Sequence, residues 1–246
     1  MNNILPYCLL LFAITCLGGS IPLWKKDQDE RLMKYLLAFS GSFLLGITLL
    51  HLIPENIEVL GHHAGWLILS GFFLQQIIQR FTHGMEHGHL HTHEHRALPV
   101  LPVFAGLGFH AFSEGIPLGT TYSDHNTLPS LYLAVALHKL PEAMLITSAV
   151  LFSTKSKSKA SLSMMLFATI TPVASLLSYY IGNRFDVVAD VITYCIPVVA
   201  GSFLHIATTI FFESGTKSHE MNPKKWMAIL LGVGLAMLTL INAHPH

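Results

Sequence analysis

Eight stretches of mainly apolar residues divide the chain, at 3–23, 34–54, 64–81, 98–121, 128–152, 160–181, 188–212 and 225–243. Each is about as long as a helix must be to cross the hydrocarbon core of a bilayer, where every backbone polar group has to be satisfied within the segment. Composition agrees: 52% of the residues are hydrophobic, 11% are charged and the mean hydropathy is +0.53. The expected fold is all-α, a polytopic membrane protein of eight spans, with residues 1–246 forming one domain and the bilayer as its solvent. A formal net charge of zero gives no basis for a nucleic-acid partner.

The connectors orient the spans. Lys25, Lys26, Arg31 and Lys34 follow span 1, Arg80 and Arg96 follow span 3, Lys155, Lys157 and Lys159 follow span 5, and Lys217, Lys224 and Lys225 follow span 7. These are twelve of the fourteen basic residues, and only Arg184 lies in a connector on the other side. Basic residues collect in cytoplasmic loops, so both termini are expected outside, in a plasma (inner) membrane. The first run has its positive charges after it rather than before it, which favours a retained helix over a cleaved signal peptide. Cys8, Cys16 and Cys195 sit in apolar runs without CxxC spacing and read as small core residues. Gly41-Ser42-Phe43-Leu44 in span 2 recurs as Gly201-Ser202-Phe203-Leu204 in span 7. The two spans run in opposite directions, as an inverted 3+2+3 repeat around spans 4 and 5 predicts.

Spans 4 and 5 carry the chemistry. His110 precedes Glu114, and His138 precedes Glu142, by four residues in otherwise apolar sequence. Positions i and i+4 share a helix face, so each pair is a nitrogen and oxygen claw for a divalent cation. Both histidines fall about a dozen residues into their spans, roughly 18 Å along the axis and near the bilayer middle. Ionisable residues at that depth are expensive unless paired, metal-bound or facing water. Two imidazoles and two carboxylates suit tetrahedral zinc, and Fe(II), Mn(II), Co(II) and Cd(II) also accept such donors. Gly115, Pro117 and Pro141 interrupt the helices beside these residues, and Pro141 frees the carbonyl of Leu137. Irregular backbone at membrane depth is tolerated where it lines a wet cavity or is buried in protein, which points to a transport path.

Other candidates are weaker. The connector at 82–97, placed in the cytoplasm by the basic residues, contains His83, His87, His89, His91, His93 and His95 with Glu86 and Glu94. It is either a metal-binding tract, a buffer or sensor, or a polar connector. His51 and Glu55 repeat the i, i+4 spacing at the outer end of span 2, as a first stop for an incoming ion or as an interfacial helix end. His205 reads as a structural histidine bonded across helices, and His62, His63, His125, His219 and Glu213 as solvated groups.

The residues of spans 4 and 5 resemble the ZIP family of divalent-metal transporters. The family's first signature, His-Asn-x-x-(Asp/Glu)-Gly, is matched by His110-Ala111-Phe112-Ser113-Glu114-Gly115, and its second, His-Glu-x-Pro-(Glu/His), by His138-Lys139-Leu140-Pro141-Glu142. Residues 41–55 and 200–214 also look like their family counterparts. The resemblance implies transport of a divalent cation, most aptly zinc, into the cytoplasm, with no organic cofactor. It also implies a second metal position whose donors are an Asn, an acid and a Glu, where this chain has Ala111, Lys139 and Thr171. A mononuclear site is therefore expected, with the Lys139 ammonium in place of the second cation and paired with Glu114 or Glu142.

Two other functions fit buried metal ligands. An intramembrane zinc hydrolase would need an open metal position and a general base, but no HExxH motif occurs and Ser113 has no evident base. A metal-responsive sensor would use the His-rich connector, with the buried residues as a structural site. Oligomeric state is open, with a homodimer among the options.

Overall fold

The computed structural model describes residues 4–24, 30–82, 100–120, 127–213 and 223–243. These form α1 (Ile4–Trp24), α2 (Glu30–Ile47), a five-residue π-helical turn (Thr48–Leu52), α3 (Ile53–Leu60), α4 (His62–Thr82), α5 (Val100–Leu118), α6 (Thr127–Thr154), α7 (Lys157–Gly182), α8 (Asp186–Glu213) and α9 (Pro223–Ala243). Helix α2, the π turn and α3 join into one rod, so the described residues form eight rods and no strand. Five rods are long and apolar enough to cross a membrane, with limits at 4–24, 33–60, 129–154, 157–182 and 186–210. The rods coincide with the eight apolar runs of the sequence. The second is longer than its run because the π turn passes the chain from α2 to α3 without a break, with Pro54, which has no N–H to give the turn before it, at the start of α3.

Turns are set locally. Gly61 adopts φ of 56°, a conformation that disfavours residues with a Cβ, and its N–H bonds the carbonyl of Ile57 at 2.9 Å to close α3 before α4 begins. Between α6 and α7, Ser156 caps the new helix by accepting from the N–H of Lys159 at 3.4 Å.

The rods pack as two groups: α1, α5, α6 and α7 in one, and α2 with α3, α4, α8 and α9 in the other. Within each group, helix backbones come very close. Gly71 of α4 lies against the carbonyl of Val198 in α8, and Gly201 of α8 against the carbonyl of Ile68 in α4, so each helix sets its smallest residue on the other's main chain. Between the groups the contacts are larger. Phe43, Leu44 and Ile47 of α2 and Val199 and Phe203 of α8 share one core with Leu131 and Val135 of α6, and Met33, Leu37, Ile206 and Ile210 pack with Met144 of α6. The surface is apolar, with Leu9, Leu10, Leu17, Trp66 and Leu230 exposed, while Glu114, Lys139, Glu142 and four histidines are buried. That reversal of a soluble protein's arrangement is what a lipid solvent selects.

Candidate metal centre

Helices α5 and α6 bring His110, Glu114, His138 and Glu142 together. One donor atom from each lies within 4.8 Å of every other, and all four side chains are buried. His110 Nε2 is 2.8 Å from Glu114 Oε1 and 3.1 Å from Glu142 Oε1, while His138 Nε2 is 3.4 Å from Glu142 Oε1. The imidazole rings meet edge to face with centroids 6.0 Å apart. Among the described residues, neither nitrogen of either ring, nor Oε1 of either glutamate, has a hydrogen-bond partner. One nitrogen of each ring and Oε1 of each glutamate lie near one another without hydrogen-bond alignment. Buried polar atoms left in this state cost free energy, and a shared cation satisfies one from each of the four residues at once. Four donors around one zinc ion at about 2.1 Å would sit about 3.4 Å apart, close to the spacings found.

Lys139 lies on the other side of the carboxylates. Its Nζ forms ion pairs with Oε2 of Glu114 and, at 2.5 Å, with Oε2 of Glu142, and it stands 5.2 Å from the centroid of the Phe167 ring. The expectation named one glutamate or the other; the ammonium takes both. Each carboxylate is thereby divided, with one oxygen toward the imidazoles and one toward the cation. The pairs offset the cost of burying an ammonium that is 1% exposed.

The backbone around the site is held by hydroxyls from α7. Thr171 Oγ1 donates to the carbonyl of Ala111 at 2.9 Å and Ser178 Oγ to that of Ile116 at 2.9 Å. Tyr132 of α6 donates to the carbonyl of Leu118 at 3.0 Å and lies 3.0 Å from Ser175 Oγ. Gly115 and Gly119 let α5 lie directly on this row. Sequence reasoning singled out Thr171 only as a position lacking a metal donor and missed Tyr132, Ser175 and Ser178; the signal is Thr171, Ser175 and Ser178 at i, i+4 and i+7, facing two glycines four apart. Ser113, the one nucleophile considered for a hydrolase, gives its hydroxyl to the carbonyl of His110 at 2.7 Å.

The remaining candidates fall elsewhere. His51 lies in the π turn with Nε2 3.0 Å from Thr239 Oγ1 of α9, and neither it nor half-buried Glu55 joins the cluster. His205 Nε2 meets Gln79 Oε1 of α4 at 2.5 Å and its ring packs edge-on to Phe72, in keeping with a structural role. His62 and His63 are exposed. His83, His87, His89, His91, His93, His95, His125 and His219, and the side chain of Glu213, lie outside the described residues.

A family model described as ZIP zinc transporter matches residues 5–102 and 86–240. Among similar proteins, zinc transporter YKE4 of Saccharomyces cerevisiae is 26% identical over 89% of this chain and 74% of its own length. Zinc transporter ZIP9 of Xenopus tropicalis is 23% identical over 96% of both chains, and zinc transporter zipt-7.1 of Caenorhabditis briggsae is 23% identical over 93% of this chain and 74% of its own. With the family match running through nearly all of the sequence, the chain belongs to the ZIP zinc transporter family, whose members are transporters and not enzymes.

Proposed function

We propose that this protein carries a divalent metal cation, with zinc the best-suited ion, from outside into the cytoplasm through one site formed by His110, Glu114, His138 and Glu142. The observation that carries the reading is the convergence of four buried donors, otherwise without hydrogen-bond partners, within 4.8 Å. Shedding its water shell costs an ion much free energy, which two imidazoles and two carboxylates offset. All eight rods cross the membrane, with both termini outside and the His-rich connector in the cytoplasm of a plasma-membrane protein.

The site holds one ion at a time. Where the family resemblance implies donors for a second, Lys139 supplies a fixed positive charge, and Ala111 and Thr171 are occupied with each other. A built-in cation weakens the pull of two carboxylates on a dication, which favours release. Protonation of the same lone pairs competes with the metal and helps release further.

Movement between outward and inward exposure would be a rocking of α1, α5, α6 and α7 against the other group. The backbone-to-backbone glycine contacts lie within the groups, while bulky aliphatic and aromatic side chains meet between them. Support for an inverted repeat comes from packing: α4 pairs with α8 as α9 pairs with α2, and α1 with α6 as α7 pairs with α5.

The test is zinc uptake into proteoliposomes by the parent and by His110→Ala, Glu114→Ala, His138→Ala and Glu142→Ala. Strong loss in each, with the fold retained, is expected. Parent-like uptake in all four would defeat the assignment.

A further inference from the structure

Lys139 touches both glutamates on the side away from the imidazoles, and this controls how many atoms an ion can take from them. The geometry points to Lys139 as a selectivity residue: by occupying Oε2 of both Glu114 and Glu142 it restricts each carboxylate to one donor oxygen, and so makes the site a four-coordinate N2O2 cage that accepts zinc-like ions and rejects Mn(II), Fe(II) and other ions that require five or six ligands. This role rests on the cage being the transport site and adds to it the class of ion that passes.

Oε1 of each glutamate lies 2.8 to 3.4 Å from an imidazole nitrogen, and Oε2 of each is paired to the same ammonium. A carboxylate can chelate an ion through both oxygens only by turning Oε2 toward it, which here means breaking an ion pair and bringing the ion nearer to Lys139. The ammonium is anchored by two carboxylates and by the Phe167 ring face, so it does not yield easily.

Among the described residues no other His, Cys, Asp or Glu joins the group, Ala111 has no donor side chain, and the Thr171 hydroxyl is committed to the carbonyl of Ala111. The four ligands are at most 1% exposed, which limits the water that could complete a larger shell. Zinc has no electronic preference for six ligands and is content with four, whereas Mn(II) and Mg(II) favour six, mostly oxygen. Selection among divalent ions by a site of given atoms comes from geometry and ligand count more than from raw affinity, and Lys139 sets that count.

The decisive measurement uses the unaltered protein loaded with zinc and read by X-ray absorption at the zinc edge. Four light ligands with no chelating carboxylate are expected; five or six ligands, or a carboxylate bound through both oxygens, would overturn the inference. The variants Lys139→Met and Lys139→Gln then test the residue itself. Their Co(II)-loaded forms should lose the intense visible bands of four-coordinate cobalt, and the preference for zinc over Mn(II) in competitive proteoliposome uptake should fall about tenfold, the equivalent of one charge-assisted hydrogen bond. Unchanged bands and unchanged preference would refute it. The underlying site fails in a different way: if His110→Ala neither abolishes the cobalt bands nor reduces uptake, the cage is not where the ion binds, whatever Lys139 does.

Discussion

Thr171 of α7 gives its hydroxyl to the main-chain carbonyl of Ala111 in α5, 2.9 Å away, at two positions where the family resemblance implies side-chain donors to a second metal. One helix-to-helix hydrogen bond therefore stands where a ligand pair would. Thr171→Val should cost about 1 kcal/mol of stability and leave one zinc bound per chain. Installing Ala111→Asn, Lys139→Glu and Thr171→Glu together should raise the count to two. Metal analysis of purified protein reads both results, and a second ion bound by the unaltered chain would contradict the mononuclear site.

Glutamate and histidine variants of the cage should differ in stability while agreeing in transport. Glu142→Ala leaves Lys139 buried with Glu114 as its remaining partner, and breaking a buried pair in this way typically costs about 3–5 kcal/mol. His138→Ala strands no charge and should be milder. Thermal unfolding in detergent should rank the two in that order. The double variant Glu142→Ala/Lys139→Met also strips Glu114 of its cation, so it should be no more stable than Glu142→Ala and should show no uptake. Equal melting temperatures for the two single variants would mean that Lys139 does not depend on Glu142.

Much of the site is legible from residue spacing alone. Its four ligands announce themselves because i, i+4 pairs of ionisable residues in apolar spans have few purposes, and the rods follow from run length. Lys139 is legible in part: its i, i+3 spacing to Glu142 follows from helix geometry, whereas its reach to Glu114 depends on how α5 crosses α6. The partition of rods into two groups is not legible, because α1 is apolar around its circumference and the charged residues of α6 mark only the side toward the site. The π turn is legible only in part: nothing in Thr48-Leu49-Leu50-His51-Leu52 breaks a helix by itself, but Pro54 just beyond has no N–H to give the carbonyl of Leu50.

Glycine contacts in the second group give a contrast that needs no metal. A methyl group on Gly201 would collide with the Ile68 carbonyl, and one on Gly71 with that of Val198, so Gly71→Ala and Gly201→Ala must push α4 away from α8. Overpacking of this kind usually costs about 1–3 kcal/mol, and here main chain rather than a pliable side chain must move. Gly65 in α4 and Gly234 in α9 meet nothing within 4 Å, so Gly65→Ala and Gly234→Ala should be neutral or stabilising by about 0.5–1 kcal/mol. Melting temperatures of the four variants check the packing; similar losses at all four would argue against the close α4–α8 crossing.

Removing the His-rich connector separates carriage from sensing. The four cage donors all come from α5 and α6, so a chain lacking residues 83–95 keeps these four. Deleting 83–95 should preserve substantial zinc flux in proteoliposomes and leave its dependence on His110 and His138 intact. Lowering the pH should weaken zinc binding in the deleted and full-length chains to the same degree, because protons compete for lone pairs of the buried cage that both retain. Histidines in the connector could also take up protons, but any pH effect arising there would vanish with the deletion. Flux lost with the connector, or a pH response confined to the full-length chain, would shift the working part of the molecule from the helix interior to residues 83–95.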